Sequence, residues 1–167
     1  MKYLPAILFI STVLLATPRS FFLPDEADHA RYHLKQAIAA AQSSILLISP
    51  KIKSRSIEKA LSKAAKRGVA VTLVTSGKTD DAAAALVRFG SVDYRIIKGL
   101  QTDYRSGELT YTMIRIDDRL QCMTSLPLSD EHFEHDIAQL HCSKKLTVSD
   151  REYSDRILQR SKPYLIP

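Results

Sequence analysis

The amino-acid sequence predicts an α/β domain: a mixed, mostly parallel β-sheet flanked by helices. Short apolar strand patterns alternate with amphipathic helix patterns from residue 24 onward, the ordering that lays parallel strands beneath crossover helices. The stretch LTYTMIRIDDRLQCMTS, residues 109–125, adds an antiparallel hairpin, two strands around the polar turn Asp117-Asp118-Arg119. The length of 167 residues suits one domain with a core that needs no staples. Its 45% apolar and 25% charged residues exclude a disordered or fibrous chain.

Residues 1–20 stand apart. Met1-Lys2-Tyr3 precedes an apolar run from Leu4 to Ala16, then Thr17-Pro18-Arg19-Ser20, the layout of a secretory signal peptide or a signal anchor. The run is shorter than the roughly 20 residues of a spanning helix, which favours cleavage. The lack of an A-x-A site before Phe21 keeps an uncleaved membrane tether open as well. The expectation is an exported protein, periplasmic or anchored to the outer face of the inner membrane, with residues 21–167 forming the domain.

The elements follow in order. Pro24, the early acids Asp25, Glu26 and Asp28, and an apolar face of Ala27, Ala30, Leu34, Ile38 and Ala41 predict a helix over 24–42. SSILLIS is a buried strand and PKIKSRS a basic loop. IEKALSKAAKRG is a helix with Ile57, Leu61 and Ala64 inward and Gly68 at its C-terminal cap. VAVTLVTS is a strand, 80–89 a short helix stopped by Gly90, VDYRII a strand, and KGLQTDYRSGE a polar connection to the hairpin. Beyond it, SDEHFEH predicts a helical turn, DIAQLHC a strand, and Ser149-x-x-Glu152 a capping box for a last helix reaching about Ser161.

In the hairpin, Thr110, Thr112, Ile114 and Ile116 share one face and Tyr111, Met113 and Arg115 the other. Cys122 and Cys142 either form a disulfide after export or serve as two small buried hydrophobes. A bridge would close a loop worth roughly 3 kcal/mol in the chain-entropy account. Removing residues 1–20 takes away Lys2 and Arg19, so the formal charge of +6 falls by two, a mild excess compatible with an anionic partner.

The segment ARYHLKQAIAAAQSSILLISPKIKSRSIEKALSKAAKRGVAVTLVTS resembles the first half of a phospholipase D superfamily domain, especially the small exported bacterial endonuclease-like members. The resemblance lies in the order of parts: a helix with A-I-x-x-A, a strand S-I-L-L, a polar S-x-x-I, a helix with A-L-x-x-A-x-x-R-G-V, and a strand. It spans about residues 21–160 and implies a single phospholipase D-like domain. It also implies an H-x-K-x-x-x-x-D motif followed by G-S-x-N, in which an imidazole attacks a phosphodiester and lysine holds its oxygens. Imidazole suits this step as both nucleophile and leaving group at neutral pH.

Here the motif is degenerate. The best register places Thr110 at the histidine, Thr112 at the lysine, Asp117 at the aspartate and Ser125 at the serine, with Thr124 at the glycine and Pro127 at the asparagine. A neutral threonine hydroxyl is a poor nucleophile and carries no charge for a phosphate. The sequence therefore points to a catalytically impaired domain that binds an anionic phosphodiester ligand, nucleic acid or anionic phospholipid, or a protein partner. The alternative is an active phosphodiesterase or endonuclease with a relocated histidine from His132, His135 or His141, with Asp136 as orienting acid.

Lys51, Lys53 and Arg55 follow a strand end where α/β folds place ligands. With Ser125 they are the candidate phosphate contacts, the other reading being a solvated loop. Lys63, Lys66 and Arg67 read as a solvated helix face. Asp25, His29 and His33 share helical spacing but lack a metalloprotease context, so they read as a polar face and not a metal site. No cofactor and no metal are expected. The resemblance also implies a homodimer.

Overall fold

The computed structural model describes residues 18–76, 86, 92–97, 100–102, 105–107 and 109–164. Its elements are β1 (Arg19–Leu23), α1 (Ala27–Ala40), β2 (Ser44–Ile48), β3 (Ile52–Lys53), α2 (Arg55–Lys66), β4 (Ala70–Ser76), β5 (Val92–Ile97), β6 (Leu100–Thr102), β7 (Arg105–Gly107), β8 (Thr112–Ile116), β9 (Leu120–Thr124), β10 (Leu128–Ser129), α3 (Asp130–His135), β11 (Ala138–Ser143), α4 (Val148–Arg160) and β12 (Lys162–Pro163).

The expected α/β class, a mixed sheet flanked by helices, is what the chain forms. An eight-stranded sheet runs β1-β11-β9-β8-β2-β4-β5-β12. Strands β2, β4 and β5 are parallel, each joined to the next by a crossover, while β8, β9, β11, β1 and β12 attach antiparallel. The parallel share is thus smaller than helix-strand alternation suggests, because β8 and β9 form a direct hairpin and the edge strands β1 and β12 join antiparallel to strands distant in the chain.

Helices α1 and α2 cover one face. Ala30, Leu34, Ile38, Ile57, Leu61 and Ala64 are fully buried against Ile45, Leu47, Leu73 and Ile114, the apolar stripes read from the sequence. Gly68 ends α2 with φ +90°, and the amides of Gly68 and Val69 return to Ala65 and Ala64 at 2.9 and 3.2 Å, as a glycine cap does. Helix α4 covers part of the other face, where Ile157 meets Leu46, Ile48, Val74 and Met113.

Several local expectations shift. The first helix begins at Ala27, after a turn at Pro24–Glu26, and the second at Arg55, two residues before Ile57. The cap of α4 is Thr147 with Asp150: the Asp150 amide donates to the Thr147 hydroxyl at 3.2 Å and the Asp150 carboxylate accepts the Thr147 amide at 2.9 Å. Glu152 pairs instead with Arg156 one turn on, at 3.4 Å. Arg19 and Ser20, placed upstream of the domain by composition, are strand residues paired with Cys142 and His141. The connection before the hairpin holds the small β6–β7 ribbon. The helix expected over 80–89 lies outside the described residues except Leu86, which is buried, and so does the apolar run of residues 4–16. No helix among the described residues is long and apolar enough to cross a membrane.

Candidate functional site

The hairpin β8–β9 carries the altered motif, and its two ends do different work. At the turn, Asp117 and Asp118 both take positive φ, 50° and 52°, with the Arg119 amide returning to Ile116 at 2.9 Å. This conformation is one that Asp tolerates better than most residues. The Asp117 carboxylate accepts the amides of Gln42 (2.8 Å), Ser43 (2.7 Å) and Ser44 (2.9 Å) and the hydroxyl of Ser43 (2.8 Å). Partial burial alone would raise its pKa, but those donors hold the carboxyl well below the usual carboxylate range. Asp117 is therefore a staple between the hairpin and the α1–β2 loop. It lies at the end of β8 opposite Thr112.

At the other end, β8 starts beside the C-terminal end of β2, with Met113 opposite Ile48. Thr112 is 1% exposed. Its hydroxyl lies 2.8 Å from the Ser49 hydroxyl and 2.6 Å from the Leu126 carbonyl. Ser49 in turn donates to the Lys51 carbonyl at 2.7 Å and accepts the Leu128 amide at 3.0 Å. A threonine hydroxyl has one proton. Whether it goes to the Leu126 carbonyl or to the Ser49 hydroxyl, Thr112 has none left to give a ligand. The position that the motif assigns to a phosphate-holding lysine is filled by a closed, buried hydroxyl pair that ties β2, β8 and the 125–128 segment together.

Thr110 and Ser125 lie at this same end and are exposed. The Leu128 amide also reaches the Lys51 carbonyl at 3.1 Å, and β10 pairs parallel with β3, Ser129 opposite Lys53. The fold thus sets the segment that follows Ser125 alongside exposed Lys51 and Lys53, with exposed Arg55 opening α2. Arg55, Lys59 and Lys63 repeat every four residues along α2, spanning about 12 Å of helix. Lys59 and Lys63 line a groove against α1 with Lys35 and Arg67. The helix row Arg55, Lys59 and Lys63 thus begins directly after the loop that carries Lys51 and Lys53.

Among the described residues, His132 and His141 hydrogen-bond to partners other than these. His132 and Asp136 on and after α3 pair at 2.7 Å. His135 is exposed at the end of α3. His141 lies in the cross-strand row Met113–Met123–His141–Ser20, and its Nδ1 is 2.9 Å from the Ser20 hydroxyl. Alternation along β8 puts that row on the sheet face opposite Thr112.

Asp25 and His29 are exposed, as a polar helix face requires. His33 departs from that reading. Its ring stacks at 5.3 Å from Phe21, and its Nε2 is buried without a hydrogen-bond partner. Burial, together with the positive charges of Arg19 and Lys144, pushes its pKa below the ordinary histidine value. Next to it, Cys122 and Cys142 face each other directly across β9 and β11, Cα–Cα 4.0 Å, joined as a disulfide. The spacing of Cys and His in the sequence gives no signal for this meeting, because α1, β9 and β11 are far apart in the chain.

Comparison with known proteins agrees with the geometry. Residues 34–152 match the family described as cardiolipin synthase, PLD-like domain. No curated protein matches the sequence. Among solved structures, the fold is similar to NucT from Helicobacter pylori, with TM-score 0.81 and 20% identity over 89% of this chain and 99% of that one. It is similar to Nuc from Salmonella typhimurium, a phospholipase D family member, with TM-score 0.70 and 19% identity over 89% and 97%. It also resembles the archaeal chromatin protein TrmBL2, whose structure is described as showing a mode of DNA binding, with TM-score 0.63 and 13% identity over 93% and 57%. With its sheet, its two covering helices and the hairpin at the motif position, the chain belongs to the phospholipase D-like domain family.

Proposed function

We propose that this domain is a catalytically impaired member of its family that binds a phosphodiester polymer, nucleic acid, without cleaving it. One observation carries the reading: Thr112, at the motif's lysine position, is buried and its only proton is taken up within the protein, by the Leu126 carbonyl or the Ser49 hydroxyl. A phosphate at this sheet end meets neither an imidazole from residue 110 nor an ammonium from residue 112. Losing a covalent nucleophile costs several powers of ten in rate, each about 1.4 kcal/mol of barrier.

Binding is supported by the cation track of Lys51, Lys53, Arg55, Lys59 and Lys63. An extended row of charges matches a strand of regularly spaced phosphates better than a single lipid headgroup. The archaeal chromatin protein of like fold, whose structure is described as showing a mode of DNA binding, agrees with that choice. Export, into the periplasm or to the outer face of the inner membrane, and pairing of two chains belong to the same proposal. They rest on the apolar run of residues 4–16 and on the family resemblance.

The second reading, an active phosphodiesterase with a relocated histidine, draws on the 2.7 Å contact between His132 and Asp136, an arrangement that orients catalytic imidazoles elsewhere. Purified protein is assayed on single- and double-stranded DNA and on a generic phosphodiester, with and without divalent metal. Thr110→Ala and a His132→Ala/His135→Ala/His141→Ala variant run alongside. Binding with no turnover above a buffer control is expected. Hydrolysis abolished by either variant would overturn the proposal.

A further inference from the structure

The packing of α1 against the β9–β11 pair gathers three groups that the proposed function leaves unused. A ring nitrogen of His33 and the sulfurs of Cys122 and Cys142 all lie within 4.8 Å of one another. The two cysteines are buried, 1% and 2% exposed, on directly opposed strand positions. His33 Nε2 is buried without a hydrogen-bond partner, an arrangement that normally costs about 1–3 kcal/mol and calls for an explanation. Ligand atoms around one zinc ion stand roughly 3.5–3.8 Å apart, given Zn–S near 2.3 Å and Zn–N near 2.1 Å. The three candidates stand within 4.8 Å of one another with the sulfurs bonded at 2.07 Å, so once the bond is reduced the sulfurs need only part to reach that spacing.

We propose that Cys122, Cys142 and His33 Nε2 form a metal site for a thiophilic d10 cation, Zn2+ or Cu+, that opens when the disulfide is reduced. In the oxidised protein both sulfurs are spent on each other and no thiolate is available. A dithiol reductant delivers two electrons and two protons to the S–S bond, leaving two cysteine thiols and the reductant's own disulfide. The cation then replaces the two thiol protons, which pass to solvent, and His33 donates its lone pair through Nε2. Two thiolates and one imidazole are a soft donor set that selects Zn2+ or Cu+ over hard cations. Cu+ is satisfied by three ligands, whereas Zn2+ takes a water as its fourth.

The test uses the full chain, oxidised or reduced with a phosphine, under anaerobic conditions. One arm titrates Co2+ and then Zn2+ and reads thiolate-to-cobalt absorption. The other titrates Cu+ against bicinchoninate. Uptake of one equivalent by the reduced protein alone, in either arm, is expected, the arm identifying the cation. His33→Gln should weaken that uptake at least tenfold, and Cys122→Ser/Cys142→Ser should abolish it. No uptake by the reduced protein, equal uptake by the oxidised protein, or unchanged affinity in His33→Gln overturns the proposal. Circular dichroism is read in parallel. Reduced protein that unfolds and regains its structure with one equivalent of cation supports the site; reduced protein that unfolds and does not regain it argues against the site.

Discussion

The carboxylate of Asp117 takes the Ser43 amide at 2.7 Å and the Ser43 hydroxyl at 2.8 Å, so one turn residue of the hairpin closes the loop between α1 and β2. In the family's motif this is the one charged member that the chain keeps, and its partners here are backbone and hydroxyl groups at the end of β8 away from Thr112. Its role here is structural, as is that of the Thr112 contacts with Ser49 and Leu126 at the other end of the strand.

Asp117→Ala is expected to cost about 2–3 kcal/mol at neutral pH, because it leaves three backbone amides without their charged acceptor. Urea unfolding gives the value, and a loss below about 0.5 kcal/mol would contradict the stapling role.

The same carboxylate fixes part of the acid response. Its pKa is depressed in the folded state from an ordinary 3.8, so the unfolded chain takes up the proton first as the pH falls. The stability it contributes is complete above about pH 4 and is lost as the pH drops toward the folded-state value. Asp150, held low by the Thr147 amide and hydroxyl, acts in the same direction. Wild type should therefore lose more stability between pH 5 and pH 2 than Asp117→Ala does, with Asp150 accounting for residual slope. Parallel curves for the two proteins would count against this assignment.

Restoring the motif should fail for a packing reason. Thr112→Lys forces an ammonium into a position 1% exposed and occupied by the Ser49 hydroxyl, and an unpaired buried charge costs at least about 3 kcal/mol. Thr110→His, at an exposed position, is expected to change stability by no more than about 0.5 kcal/mol. The double variant should melt well below wild type and show no nuclease activity. A stable, active double variant would mean that the pocket opens more readily than these contacts suggest.

The cation track has a salt signature. If Lys51, Lys53 and Arg55 each neutralise one phosphate, their replacement by alanine should make the slope of log affinity against log salt shallower by about 3 on duplex DNA. Fluorescence anisotropy across a salt series measures it. An unchanged slope would return these residues to the solvated-loop reading.

Joining Cys122 to Cys142 closes a 20-residue separation between neighbouring strands. Cys122→Ala/Cys142→Ala should lower stability by about 3 kcal/mol in non-reducing buffer and by far less when both proteins are compared under reductant. Equal stability in both buffers would point to thiols that pack without a bond.

Local pattern carries much of this molecule. The stripe Ala30–Leu34–Ile38, the stripe Ile57–Leu61–Ala64 closed by Gly68, and the alternation from Thr112 to Ile116 each specify an element through its own periodicity, and their order was enough to reveal the family. Strand β1 is not legible because RSFFL follows an apolar run whose composition masks it, nor is the Thr147–Asp150 cap, because an equally good pattern lies two residues on. What sequence could not give is which side chains meet. The Thr112–Ser49 hydroxyl pair, the staple from Asp117 to Ser43 and the gathering of His33 with Cys122 and Cys142 join residues 63, 74 and up to 109 positions apart. Periodicity records which face a residue turns to. Only the crossover order of the sheet decides which distant face it finds there.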